Sequence, residues 1–143
     1  ALQVQVVDLL VSSGVIVRTR GLHRPEDVKV ATGAGTLQHF PMIVLVNEHS
    51  ASAAEIVAGS LMDNKRAVVL GTRSYGKGSV QNWIPLKDNQ GAVRVTIAKW
   101  LTPTERTIDK KGLTPDVVVP LTEEDAKAKL DPQLDKAIEL LSK

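Results

Sequence analysis

The chain has 143 residues, 43% hydrophobic and 24% charged, the balance of a globular domain with a real core rather than of a disordered segment. Its net charge of +2 comes from Lys and Arg scattered among acids, and aromatic residues make up only 3%, which argues against nucleic-acid binding because that needs a basic face with stacking rings. With no cysteine the chain has neither disulfides nor a cysteine-based zinc site, and its longest apolar runs, such as 41–46, fall far short of the roughly 20 residues that a membrane-crossing helix requires.

The sequence opens at Ala1 directly into an apolar-periodic segment, without an initiator Met or a signal-like leader, and is expected to be a piece cut from a longer protein. Leu2, Val6, Leu9 and Leu10 recur at helical spacing, which predicts a helix over 2–11 although its valines lower intrinsic propensity. Ser12, Ser13 and Gly14 break that pattern, and 15–20 then alternates as a half-buried strand does. The Gly-rich and polar stretch 21–40 reads as a loop with one short strand around 28–31.

Residues 42–46 form a continuous apolar run of strand length, which predicts a central strand covered on both faces, as in parallel sheets. After a polar loop over 47–52, Ala53, Ile56, Val57 and Leu61 make one apolar helical stripe ending near Asn64, and 67–70 supplies another buried strand. Alternation over 93–98 predicts a strand after a turn at 88–91, and 117–119 a short one between Pro115 and Pro120. Asp131 followed by Pro132 is an N-cap with proline at the first helical position, and Leu134, Ala137, Ile138 and Leu141 line one face of the helix that follows. No repeat or linker divides the chain, so periodicity predicts one α/β domain with a mixed sheet and flanking helices.

Two loops carry residues capable of chemistry. The segment Asn47-Glu48-His49-Ser50-Ala51-Ser52 joins a buried strand to an amphipathic helix, so its hydroxyls sit where unpaired backbone N–H groups can hold an oxyanion. Ser52 with Glu55 also has the S-x-x-E spacing of a capping box, and from this segment alone the structural reading outweighs the catalytic one. Residues 71–78 nearly match the phosphate-cradling G-x-x-x-x-G-K-[ST], but Gly78 stands in place of the metal-binding hydroxyl, and 79–86 lacks helical periodicity. A lysine between two glycines is most often an exposed loop cation. Ser50 and His49 are the nearest rival nucleophile and base, without the G-x-S-x-G of a nucleophile elbow. His23 and His39 have no evident partner, and Asp63, Asp109 and Asp116 read as turn or cap residues, so no metal site is expected.

Together, Ser-Ala-Ser-Ala-Ala-Glu-Ile at 50–56 and Tyr-Gly-Lys-Gly-Ser-Val-Gln at 75–81 resemble the paired signatures of the carboxyl-terminal processing, or tail-specific, proteases. The likeness extends through 42–46, 59–61, 92–103 and the Gly-x-x-Pro-Asp of 112–119. It implies a fold related to the crotonase and Clp-protease superhelix, with Ser52 as nucleophile, Lys77 as its base, Gln81 orienting that lysine, and the N–H of Ala53 facing the oxyanion. It implies no cofactor, substrates that are polypeptides with exposed C-terminal tails, and a periplasmic or otherwise extracytoplasmic setting. Residues 1–143 would then be the C-terminal part of the catalytic core. The family's Asn-Pro-Gly-Gly loop, source of another oxyanion donor, and its usual PDZ domain would lie upstream, so this piece alone is expected to be inactive and any oligomer to form through other regions.

A serine hydroxyl needs a base, and a lysine can serve only when neutral, which takes roughly 3 to 5 kcal/mol of differential destabilisation of the ammonium. The neighbours Gly76, Gly78, Ser79 and Val80 bring no counter-charge, and Gln81 can accept an N–H bond without stabilising a cation as a carboxylate would. Because residues four apart in a strand are about 13 Å apart and in a helical turn about 6 Å, a turn is expected over 77–81. Two rival readings are a catalytically idle scaffold or partner-binding domain of the same fold and, more weakly, a phosphate-loop nucleotide binder.

Overall fold

A computed structural model describes residues 2–142, with the backbone alone for Asn89. In chain order the elements are α1 (Leu2–Leu10), β1 (Val15–Gly21), β2 (Asp27–Val30), β3 (Ile43–Val46), α2 (Ala53–Asp63), β4 (Val68–Gly71), β5 (Ser79–Pro85), β6 (Ala92–Leu101), β7 (Val117–Val118), α3 (Glu123–Ala128) and α4 (Pro132–Leu141), with a short 3₁₀ turn at Lys87–Asn89. Strands of both senses occur, sorted into two sheets: an antiparallel one of order β2-β1-β6-β5 and a parallel one of order β3-β4-β7.

Each predicted helix forms where periodicity placed it. α1 buries Val7, and the chain just beyond it Val11, against α2, whose Ile56, Ala58 and Leu61 complete that layer of the core. α2 ends at Asn64, whose carboxamide donates to Ser60 O at 2.9 Å and to Val15 O at 2.8 Å, satisfying an orphan helix carbonyl while tying α2 to β1. In α4 the Asp131 carboxylate caps the Leu134 N–H at 2.9 Å with Pro132 in the first turn, and Ala137 is buried on the side facing β3 and β4. α3 has no counterpart in the sequence reading. It starts from a capping box between Thr122 and Asp125 and buries no residue, so it lacks the apolar stripe that periodicity detects.

Three expectations are corrected. β3 pairs in parallel with β4, as its apolar run implies, but among the described residues it is the edge of its sheet with Leu45 exposed, and β4 is the central strand. A continuous apolar run reports burial potential, not position within a sheet. Asp63, read as a turn or cap residue, has a nearly buried side chain that accepts from Thr104 N at 3.0 Å, from Thr104 Oγ1 at 2.6 Å and from Arg106, anchoring the end of α2 to the turn after β6. The segment after Gly78 is a strand, not a turn: β5 pairs with β6 from Ser79 opposite Lys99 to Pro85 opposite Ala92. The ladder skips Ile97 between the pairs Val80–Ala98 and Gln81–Thr96, a β-bulge on β6.

Candidate active site

Parallel pairing brings the two chemistry-bearing loops together. Val46, the last residue of β3, is registered with Gly71, the last of β4, so the loops that follow leave the sheet at the same edge, the place where open parallel sheets form ligand crevices. The loops run side by side: Thr72 N donates to Val46 O at 3.0 Å, and Tyr75 N to Ser50 O at 3.0 Å. Positions distant in sequence thereby become neighbours.

Glu55 clamps this junction. Its side chain is fully buried and accepts four hydrogen bonds: from Ser74 Oγ at 2.5 Å and Gly76 N at 2.7 Å on one oxygen, and from Ser52 N and Lys77 N, each at 2.9 Å, on the other. Ser52 N and Lys77 N therefore lie within twice that distance of each other. The capping-box spacing is real, and its Glu55 half closes on the Ser52 N–H, while the Ser52 side chain makes no cap hydrogen bond of ordinary geometry. The carboxylate thus serves the second loop as much as the helix start, which sequence spacing alone could not indicate. A glutamate in the first turn beside the buried Ile56 was the available signal.

Ser52 occupies a backbone conformation with φ 58° and ψ −115°, outside the regions that L residues favour. Strain of this kind at a non-glycine residue concentrates at functional sites, and a sharp strand-to-helix turn is how a nucleophilic serine is presented. Ala53 follows at the exposed first position of α2. The rival hydroxyl of Ser50 is tied into the loop, accepting from Asn47 N at 3.1 Å, and His49 is exposed with its Nε2 3.6 Å from a Glu48 carboxylate oxygen.

Lys77 is held at both ends of its peptide. Its N–H goes to Glu55, and its carbonyl accepts the indole N–H of the buried Trp100 at 2.9 Å. Trp100 N donates in turn to Gly78 O at 3.0 Å. Sequence reasoning passed over Trp100, one of only two tryptophans.

The flanking glycines have a packing reason. A Cβ on Gly76, where φ is 91°, would lie 2.7 Å from Gly112 N, and one on Gly78 would lie 2.7 Å from Asp109 N. The loop backbone thus presses directly on the 108–112 turn, where Leu113 N donates to Ser74 Oγ at 2.7 Å. Further along, the Asp116 carboxylate accepts from Val69 N at 2.9 Å, which pins that segment to β4.

The Lys77 side chain is exposed, not buried, and makes no ion pair among the described residues, although the Asp109 carboxylate lines the same cleft. Gln81 is on the strand and forms no hydrogen bond with Lys77. Lys77, Ser79 and Gln81 instead follow the two-residue period onto one face and line an open cleft of about 470 Å³ with Ala51, Tyr75, Arg94 and Asp109. Because a strand and not a helix follows Gly78, the 71–78 loop has no helix N-terminus to offer a phosphate.

Comparison with known proteins identifies the family. Residues 2–119 match the family described as Peptidase family S41. A carboxy-terminal-processing protease of Bartonella bacilliformis is 47% identical over 117 residues, covering 81% of this chain and 27% of that protein. A chloroplastic carboxyl-terminal-processing peptidase of Arabidopsis thaliana is 41% identical over 120 residues, 82% of this chain and 23% of its own length. The solved structure of a photosystem II D1 C-terminal processing protease superimposes with a TM-score of 0.76 at 37% identity, covering 82% of this chain and 30% of that one. The chain spans about a quarter of the length of these curated relatives, and it belongs to peptidase family S41.

Proposed function

We propose that this chain carries the nucleophile and base of a serine peptidase that hydrolyses polypeptides near their C-termini. The observation that supports this best is the convergence of Ser52 N and Lys77 N on one Glu55 oxygen, which holds the two positions as neighbours across a sequence gap of 25.

In this reading the neutral Lys77 amine takes the Ser52 Oγ proton as Oγ attacks the scissile carbonyl, and the ammonium so formed then gives that proton to the departing nitrogen. The acyl group on Ser52 is released by water activated by the same amine. The Ala53 N–H, at the positive end of α2, faces the developing oxyanion, with the second donor contributed from outside residues 1–143. Gln81 lines the same cleft as Lys77, and in this reading its carboxamide orients the amine. The chemistry requires neither metal nor organic cofactor. Polypeptides with exposed C-terminal tails are the proposed substrates, in a periplasmic or other extracytoplasmic compartment. No helix of the described residues is long and apolar enough to cross a membrane.

The test is made on the full-length protein. Ser52→Ala and Lys77→Ala, changed separately, are each expected to lower kcat for a tail-bearing peptide by at least about a thousandfold. Full activity in either variant refutes the dyad.

A further inference from the structure

Beside the proposed dyad, the cleft holds one cationic group to which the reaction above gives no role. Arg94 lies on β6 directly opposite Trp83 of β5, with its guanidinium 5.8 Å from the centre of the Trp83 ring. Cross-strand partners project to the same face of a sheet, and Trp83 continues the two-residue period of Lys77, Ser79 and Gln81. Arg94 therefore extends the same wall, and it lines the cleft with Lys77 and Gln81.

The carboxylate nearest to hand in that cleft is already engaged. Asp109 pairs with Lys99 at 3.0 Å. Arg94 is exposed and makes no ion pair with any carboxylate among the described residues. A guanidinium that stays charged at every working pH, presents a planar fork of donors and is steadied by an aromatic ring is well suited to bidentate capture of a carboxylate. With Lys77 required to be neutral for its role as base, Arg94 is the positive charge that this wall offers a substrate.

We propose that Arg94 binds a carboxylate of the substrate polypeptide and so sets where the chain is cut. The proposal rests on the dyad reading above for the position of the scissile bond. From Lys77 to Trp83 the chain covers at most about 20 Å, the reach of about six extended residues, so the recognised carboxylate sits no more than about six residues from the bond that breaks. Two sources carry that group: the α-carboxylate of a short tail, or an acidic side chain at that distance in a longer one.

The full-length enzyme and its Arg94→Gln and Arg94→Lys variants are assayed on three peptides that share a cleavage site: one ending in a free carboxylate four residues beyond it, the C-terminal amide of that peptide, and a longer amidated peptide with Glu in place of the terminal carboxylate. The unmodified enzyme is expected to favour a carboxylate-bearing peptide over the neutral amide by about tenfold in KM. Arg94→Gln is expected to reduce that preference to about one, and Arg94→Lys to restore it only in part, because an ammonium lacks the planar fork. Preference for the free-acid peptide alone assigns the α-carboxylate, and equal preference for the Glu peptide assigns any carboxylate at that distance. Equal KM for all three peptides with the unmodified enzyme, or an acid preference that survives in Arg94→Gln, overturns the proposal. Equilibrium binding of the same peptides to the Ser52→Ala protein separates the two readings. If that variant still cleaves, the dyad fails whatever Arg94 does; if it binds acid and amide equally, the role of Arg94 fails whatever the dyad does.

Discussion

Ser52 and Lys77 donate their backbone N–H groups to the same oxygen, Oε2 of Glu55, each at 2.9 Å. The other oxygen takes Ser74 Oγ and Gly76 N, so one buried carboxylate fixes a helix start and a glycine-rich loop to each other. Such a group would position the proposed dyad without touching a substrate. Its removal leaves several buried donors without an acceptor, which costs more than a single hydrogen bond is worth.

Glu55→Gln keeps the shape but turns an acceptor-only group into one with an N–H₂ facing donors. We expect a loss of about 2–3 kcal/mol in unfolding free energy. We also expect kcat on a tail peptide to fall by more than KM rises, because the Ser52 and Lys77 backbones would no longer be held together. Denaturant titration and steady-state kinetics of the intact protein read the two effects separately, and an unchanged kcat would rule out the positioning role.

Gly78→Ala tests whether the glycines serve packing. The new methyl would meet the backbone of Asp109 at under 3.0 Å, and backbone cannot move aside as a side-chain tip can. Overpacking of this kind costs about 1–3 kcal/mol. A variant with the same midpoint of thermal unfolding as the parent would show that the loop has slack.

Asp63 makes stability depend on pH. Burial raises its pKa, but hydrogen bonds from Thr102, Thr104 and Arg106 outweigh that and hold the carboxyl below its ordinary value. A depressed folded-state pKa contributes stability that is fully present above the unfolded value of about 3.9 and is lost as pH falls through the lower folded value. Asp63→Asn removes that contribution. The difference in melting temperature between parent and variant should therefore be largest near neutral pH and shrink below about pH 4. A gap that stays constant from neutral to strongly acidic pH would show that the carboxylate contributes shape alone.

Trp100→Phe probes the other anchor of Lys77. The ring still fills the core, but the carbonyl of Lys77 loses its indole donor, a bond worth about 0.5–1.5 kcal/mol net. A modest stability loss with a larger fall in kcat is expected. A stability loss with kinetics untouched would mean that the Glu55 side holds Lys77 by itself.

Local pattern sufficed for much of this protein. Helical spacing predicted α1, α2 and α4 close to their ends, the Asp131-Pro132 cap located α4 to the residue, and alternation found β1 and β6, because these signals arise between residues near in sequence. The two motifs were equally legible. The strand at β5 was not. A turn was expected over 77–81 so that Gln81 could reach Lys77, whereas the seven residues of β5 find their hydrogen-bond partners on β6, a ladder that no property of 79–85 alone reveals.

The sequence by itself determined which residue types are available for chemistry, where α1, α2 and α4 run and which two loops carry the paired motifs. Only the tertiary structure decided that those loops leave the same edge of a parallel pair, that Glu55 turns from helix cap to buried clamp, and that Arg94 stands on the wall of the Lys77 cleft. The reason is physical: periodicity and capping are settled within a few residues, while a carboxylate with four donors or a cleft with walls from separate elements exists only after strands far apart in sequence have paired.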